Sequence, residues 1–391
     1  MKYDFETTVP REGMNTYKYE ARKDVFGRAD VLPLWVADHD FAIPPCVAAA
    51  IRERALHDVY GYEIRGASFN AAIADWIGRR NGWKIRPEWI VFTPGVVSGL
   101  VFGINAFSKP GDRIVIQPPV YPPFAHCIKD NGRIVVNNPL VQSGGRFTID
   151  FDDLDRKLVD AKIMILCNPQ NPTGRVFTGE ELARIGELCE KHDVRILSDE
   201  IHSDLIMPQY KHTHIASLSP ETAALTVTLI APSKTFNLAG LASSAAIIPD
   251  KGLRKMFRDE IDRLHVGLGN SFGNVAMEAA YRCGDDWLDQ FIMHISGNIE
   301  YVRQFLADNI PKIRSFKVEG TYLMWLDMTG LGLGPDGTKD FVINKAGLGL
   351  NDGRDFGTEG ACHMRMNVAA PRKTLEQAMR QLQEAYMMLN L

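Results

Sequence analysis

The chain reads as an α/β protein, with a large domain built on a mostly parallel sheet flanked by helices and a smaller α+β domain. Three observations predict this. The middle of the 391-residue sequence alternates short β-branched apolar runs with helical patterns. Its last part changes rhythm to a long helix, several strands and a closing helix. The composition, 45% hydrophobic and 24% charged, is that of an ordinary globular protein long enough for two domains.

Taken in order, residues 1–44 are assigned to a segment that joins the small domain, 45–275 to the large domain and 276–391 to the small C-terminal domain. The opening MKYDFETTVPREG mixes charges with apolar residues and lacks the apolar core of a secretory signal. No apolar run is long enough to span a bilayer, so a cytoplasmic protein with no membrane partner is expected. DRIVIQ, KIMILC, VRILSD, LTVTLIA and SAAIIP are read as strands buried on both faces. Between them TGEELARIGELCEKH has a helical period, with Thr178 suited to cap its start. The last part is read as a helix near Asn298–Asn309, strands near Ser315–Val318, Tyr322–Asp327 and His363–Val368, and a helix from Lys373.

The formal net charge of -4 and the lack of any basic block give no footprint for nucleic acid, which leaves a small molecule as the expected ligand. Cys46, Cys127, Cys167, Cys189, Cys283 and Cys362 stand singly with no C-x-x-C pair, so reduced, mostly buried thiols are expected, with neither a disulfide framework nor a zinc site.

Strands separated by helices imply parallel crossovers, and in such sheets the ligand lies at the carboxyl ends of the strands. Three chemistries should converge there: an amide in CNPQNPTG, a carboxylate in SDEIHSD and an amine in APSKT. Together they suit a pyridine aldehyde phosphate. A lysine can condense with the aldehyde, a carboxylate can keep the pyridine nitrogen protonated, and an asparagine can hydrogen-bond the phenolic oxygen.

N-P-x-N-P-T-G, a strand ending in S-D-E, and S-K-T-F-N further on resemble the fold-type I aminotransferase family of pyridoxal 5'-phosphate (PLP) enzymes. LPLWVADHDF, QPPVYPPF, SDEIHSDL and APSKTFNLAGL most resemble its MalY/PatB branch of carbon–sulfur lyases. The resemblance runs nearly end to end and implies roles for matching positions. Lys234 would bind PLP covalently and act as the general base. Asp199 would pair with the ring nitrogen, Asn171 with the ring's phenolic oxygen, and Tyr121 would stack on the ring. Gly95, Val96 and Val97, opening a helix, would offer N–H groups to the phosphate. Tyr62 would reach that phosphate from the neighbouring subunit of a homodimer, and Arg365 would clamp the α-carboxylate of an amino-acid substrate.

The departures from the family are as specific as the matches. Where aminotransferases carry a hydroxyl residue three before the lysine and an arginine eight after it, this chain has Ala231 and Ala242. Phosphate contacts must therefore come from Ser233, the helix start, Tyr62 or other groups. The family's tyrosine three residues after the ring aspartate is His202 here, a candidate for the same hydrogen bond. The role of Glu200 stays open. His212 and His214 in KHTHI lack a third ligand or acidic partner in the sequence, so no metal is expected, and His39 and His126 are read as structural or rim residues.

The implied reaction is α,β-elimination from cystathionine or another L-cysteine S-conjugate, giving a thiol, pyruvate and ammonia. An aminotransferase would use the same lysine up to the loss of the Cα proton, so the core motifs leave both routes open, and the flanking resemblance favours the lyase. The reading from another class is a non-catalytic regulator or partner-binding protein of the same fold. Regulators of this fold usually carry an N-terminal DNA-binding module, which is not expected here, whereas a partner-binding role would leave no such trace in the sequence.

Overall fold

The computed structural model describes residues 1–389. Its largest sheet has seven strands: β1 (Ile90–Thr93), β2 (Arg113–Ile116), β3 (Ile134–Asn137), β4 (Ala161–Cys167), β5 (Arg195–Asp199), β6 (Thr226–Ile230) and β7 (Ser244–Ile247). They lie in the order β1-β7-β6-β5-β4-β2-β3. The pairs from β6 across to β3 are parallel, as the strand–helix alternation predicts. SAAIIP behaves differently, because β7 runs antiparallel to both β6 and β1. The thirteen residues from Ala231 to Ser243 that link β6 to β7 form one helical turn and one 3-10 turn rather than a crossover helix packed on the sheet. The strands β1 and β3 are not among the runs picked out by pattern.

Helices pack on the sheet where the sequence lets them approach. In α1 (Pro45–Ala55), α2 (Ala67–Asn81) and α3 (Val96–Phe107), the last matters most for the site. A Cβ added at Gly99 would stand 2.6 Å from Leu229 Cδ2, and one at Gly103 would stand 2.6 Å from Leu197 Cδ2. These two glycines let α3 lie directly on β5 and β6. Thr178 caps α4 (Gly179–Lys191) as expected, and Glu181 completes a capping box with it: Thr178 Oγ1 accepts from Glu181 N, and the Glu181 carboxylate accepts from Thr178 N.

The second sheet is antiparallel and contains β8 (Arg314–Ser315), β9 (Leu323–Asp327), β10 (Asn351–Asp352) and β11 (His363–Asn367), in the order β8-β9-β11-β10. A two-residue strand at Leu32–Pro33 pairs with Leu348–Gly349, which ties the N-terminal segment to this part of the chain. Helix α5 (Ser271–Cys283) runs across position 275 and packs on α1, and the next helix, α6 (Asp285–Asn309), is 25 residues long rather than the last turns alone. Gly284 separates the two. The chain closes with α7 (Arg372–Met387). Among the described residues no helix is long and apolar enough to cross a membrane.

Two expectations fail for the same reason, that they concern residues far apart in sequence. Cys46 and Cys283, 237 residues apart, are paired as a disulfide between the start of α1 and the end of α5. The other four cysteines are free, three of them buried as expected. His212 and His214 do meet an acidic partner, Glu200, which their local sequence does not contain.

Candidate active site

Strand register explains how the motifs meet. Cys167 lies beside Asp199 across β4 and β5, and Asp199 lies beside Leu229 across β5 and β6. The chains that leave these strands therefore leave together, and they line a cavity of about 180 Å³. Asn171, Asp199, His202, Ser233, Lys234 and Tyr121 all face it, as do Gly95, Val96 and Val97 at the start of α3. Lys234 is not at the strand end itself: it stands on a single helical turn, Pro232–Thr235, beyond β6.

Each charged group here is held away from its ordinary state. Lys234 Nζ donates to the Ala37 carbonyl at 2.8 Å. Its pKa is lowered, first by burial and then by Arg365, against the opposing pull of Asp38 and Asp199. Asp199 is 4% exposed, and burial raises its carboxyl to about 7, although Ile201 N donates to Oδ1 at 3.1 Å. A buried carboxylate on a cavity wall, with no cation bonded to it, is matched by a protonated ring nitrogen.

Arg365 presents the complementary case. It is 5% exposed and its Nη2 donates to the Trp35 carbonyl at 2.7 Å and to Asn351 Oδ1 at 2.6 Å, while Nη1 donates to Asn171 Oδ1 at 3.0 Å. No carboxylate is bonded to it, Nε is buried without a partner, and burial lowers the guanidinium to about 10. Such a group calls for an anion. His202 is pushed to about 3 by burial and the nearby Lys234 and Arg365 charges, so it is a neutral imidazole, with a buried Nδ1 that has no partner. These orphaned atoms, an amine, and the free N–H groups opening a 12-residue helix together fit PLP and an amino-acid carboxylate.

The aminotransferase class I and II family model matches residues 29–382. The chain belongs to this family. It is 41% identical to cystathionine beta-lyase PatB of Bacillus subtilis over 384 residues, covering 98% of this chain and 99% of that one. Cystalysin of Treponema denticola, solved with its PLP cofactor, superposes with a TM-score of 0.95 at 34% identity over the whole of both chains. The PLP-bound C-S lyase of Staphylococcus hominis gives 0.92 at 32% identity, covering 98% of each chain. The fold is that of the PLP-dependent enzymes of this family, and PLP is its cofactor.

Ala231 and Ala242, the two departures noted in the sequence, line the cavity. Ser98 and Ser243 also line it and were not singled out in the sequence; their adjacency to Val97 and Ala242 is the signal that would have found them. Ile201, two residues after Asp199, also faces the cavity. Ala37 carries no functional side chain, so nothing in the motif marks its carbonyl.

Two positions turn away. Glu200 faces the opposite direction from Asp199, with Oε1 accepting from Ser198 Oγ at 2.7 Å and Oε2 accepting from His212 Nε2 at 2.8 Å and from His214 Nδ1. The carboxylate is fully buried; burial alone would raise its pKa, but the two histidines hold it down at about 2. Three donors satisfy it, which makes this a structural brace under the end of β5. Tyr62 is 98% exposed and does not line the cavity of its own chain.

Proposed function

We propose that this PLP-dependent carbon–sulfur β-lyase acts on cystathionine or a related L-cysteine S-conjugate, releasing a thiol, pyruvate and ammonia. The choice of elimination over transamination rests on the 41% identity with a cystathionine beta-lyase along nearly the full length of both chains. When bound, PLP supplies an aldehyde that condenses with amines and a pyridinium ring that accepts the electron pair released at Cα.

The chain's own residues do the rest. Arg365, which donates to Asn171 Oδ1, would bind the substrate carboxylate and so orient the amino acid for proton removal by Lys234. Burial and the Arg365 charge favour the neutral amine of Lys234, which takes the Cα proton onto Nζ. The Cβ–S bond breaks, and Nζ returns its proton to the departing sulfur. Released aminoacrylate hydrolyses to pyruvate and ammonia. Asp199 would keep the ring nitrogen protonated, Asn171 and neutral His202 would hydrogen-bond the phenolic oxygen, and Tyr121 and Ile201 would pack on the ring. The Val96, Val97 and Ser98 N–H groups, with Ser233 and Ser243, would hold the phosphate.

The same reading takes the protein as a homodimer. Val59, Tyr60, Tyr62, Ile64 and Leu268 are exposed; Tyr60 meets Phe272 at 5.8 Å, and Arg65 Nη1 donates to the Leu268 carbonyl at 2.6 Å, which joins the two segments. This apolar skirt carries Tyr62, and its hydroxyl would complete the partner's phosphate site. Domain limits are proposed at residue 44 and, because α5 is one continuous helix, at Gly284. The test of function is direct. Holoenzyme is incubated with cystathionine, and separately with an amino acid plus 2-oxoglutarate, and pyruvate, thiol and glutamate are followed. Pyruvate with equimolar thiol is expected; glutamate without thiol would overturn the lyase.

A further inference from the structure

Lys234 does not hold its acceptor alone. The Tyr322 hydroxyl donates to the same Ala37 carbonyl at 3.1 Å, so both lone pairs of that oxygen are taken. Tyr322 is fully buried, just before β9. Its ring is clamped edge-on by His202 at 6.0 Å and His39 at 6.5 Å, which aims the hydroxyl. The acceptor is equally fixed. Asn367 Nδ2 donates to the Val36 and Asp38 carbonyls on either side of Ala37, and Asp38 is paired with Arg11 at 2.6 Å.

Two donors on one carbonyl compete. The O–H of Tyr322 draws electron density from the oxygen and sets its own positive hydrogen close to the N–H of Lys234, which weakens the hold on the protonated amine. The groups facing Nζ from the packed elements divide in sign: Asp199 from β5 and Asp38 from the N-terminal segment favour the ammonium, while Arg365 from β11 opposes it and His202 is neutral. Burial and Arg365 outweigh the two carboxylates, and the shared acceptor acts on top of them as the one hydrogen bond that Nζ makes among the described residues.

We propose that Tyr322 is a positioning residue for Lys234, acting through the Ala37 carbonyl that both occupy, so that the free amine is held in place yet released readily to its reacting partner. The alternative is that the hydroxyl merely satisfies its own burial. The proposal rests on the PLP-lyase reading only for its consequence in turnover.

The test uses Tyr322→Phe and, as a variant that strengthens the donor without losing volume, 3,5-difluorotyrosine placed at 322. Apoprotein is prepared from each holoenzyme, and labelling of Lys234 by trinitrobenzenesulfonate is followed against pH with peptide mapping. Removing the hydroxyl is expected to move the labelling midpoint to higher pH and to slow recovery of the PLP absorbance at pH 7 by about 3–10-fold, with full final occupancy. Difluorotyrosine is expected to move the midpoint the other way. In the lyase assay the acid limb of kcat follows the same order, with KM within about twofold. An unmoved midpoint, or two variants that shift it in the same direction, would overturn the role of Tyr322. Loss of lyase activity by the unmodified enzyme would instead strike at the proposed reaction, leaving the titration result intact.

Discussion

Replacing Asp199 with Asn should damage function and stabilise the empty protein in one stroke. In the absence of a ring nitrogen the carboxyl is raised from 3.8 to about 7 by burial, so the folded state binds a proton that the unfolded state has already lost between those pH values. Stability therefore falls as pH rises through that window and stays reduced above it. The rise corresponds to about 4 kcal/mol at most, which Asn, neutral and nearly isosteric, would not incur. For a chain of 391 residues, that is up to about 5 °C in the melting temperature of apoprotein at pH 8. At pH 4 the difference should vanish. With PLP bound the order reverses: the wild-type pair is complete, Asn cannot keep the ring protonated, and kcat should fall by about 10²–10³-fold. Scanning calorimetry of both apoproteins at pH 4 and pH 8, beside steady-state kinetics, measures all three. Apo Asp199→Asn melting below the wild type at pH 8, or retaining kcat within tenfold, would refute the reasoning.

Arg365→Lys keeps a cation but loses the fork that meets Asn351, Trp35 and Asn171, and kcat/KM should fall by about 10²-fold, mostly through KM; an unchanged KM would place the carboxylate elsewhere. Gly103→Val drives a methyl into Leu197 and should cost about 1–3 kcal/mol together with PLP affinity, whereas Gly78→Ala in α2, with nothing within 4 Å, should gain about 0.5–1 kcal/mol, both read from melting curves. Mixed dimers of Tyr62→Phe and Lys234→Ala subunits should regain lyase activity only where a subunit with Lys234 faces a partner with Tyr62. Activity recovered in Tyr62→Phe homodimers at wild-type PLP affinity would remove Tyr62 from the site.

Much of this protein was legible along the chain. Runs such as KIMILC and VRILSD form strands because β-branched side chains suit a pleat buried on both faces, and Thr178 with Glu181 caps a helix through atoms three residues apart. The motifs of Asn171, Asp199 and Lys234 follow their strands closely, so the parallel sheet alone was enough to predict their meeting. These properties depend on neighbours in sequence, where local sterics and periodicity act.

The tertiary structure decided what depends on distant partners. β7 runs antiparallel because the link from β6 is spent on two short turns around the site instead of a crossover helix, and Lys234 rides on the first of them rather than on the strand itself. Glu200 and Asp199 are adjacent yet part company, since successive side chains at a strand end face opposite ways and only one way holds His212 and His214. Cys46 finds Cys283, and the backbone oxygen of Ala37 becomes the acceptor for both Lys234 and Tyr322. A carbonyl has no side-chain signature, and a contact between residues 37, 234 and 322 exists only once the N-terminal segment has docked against β11. The sequence by itself determined the cofactor's chemistry; packing determined the orientation and the charge balance in which that chemistry is carried out.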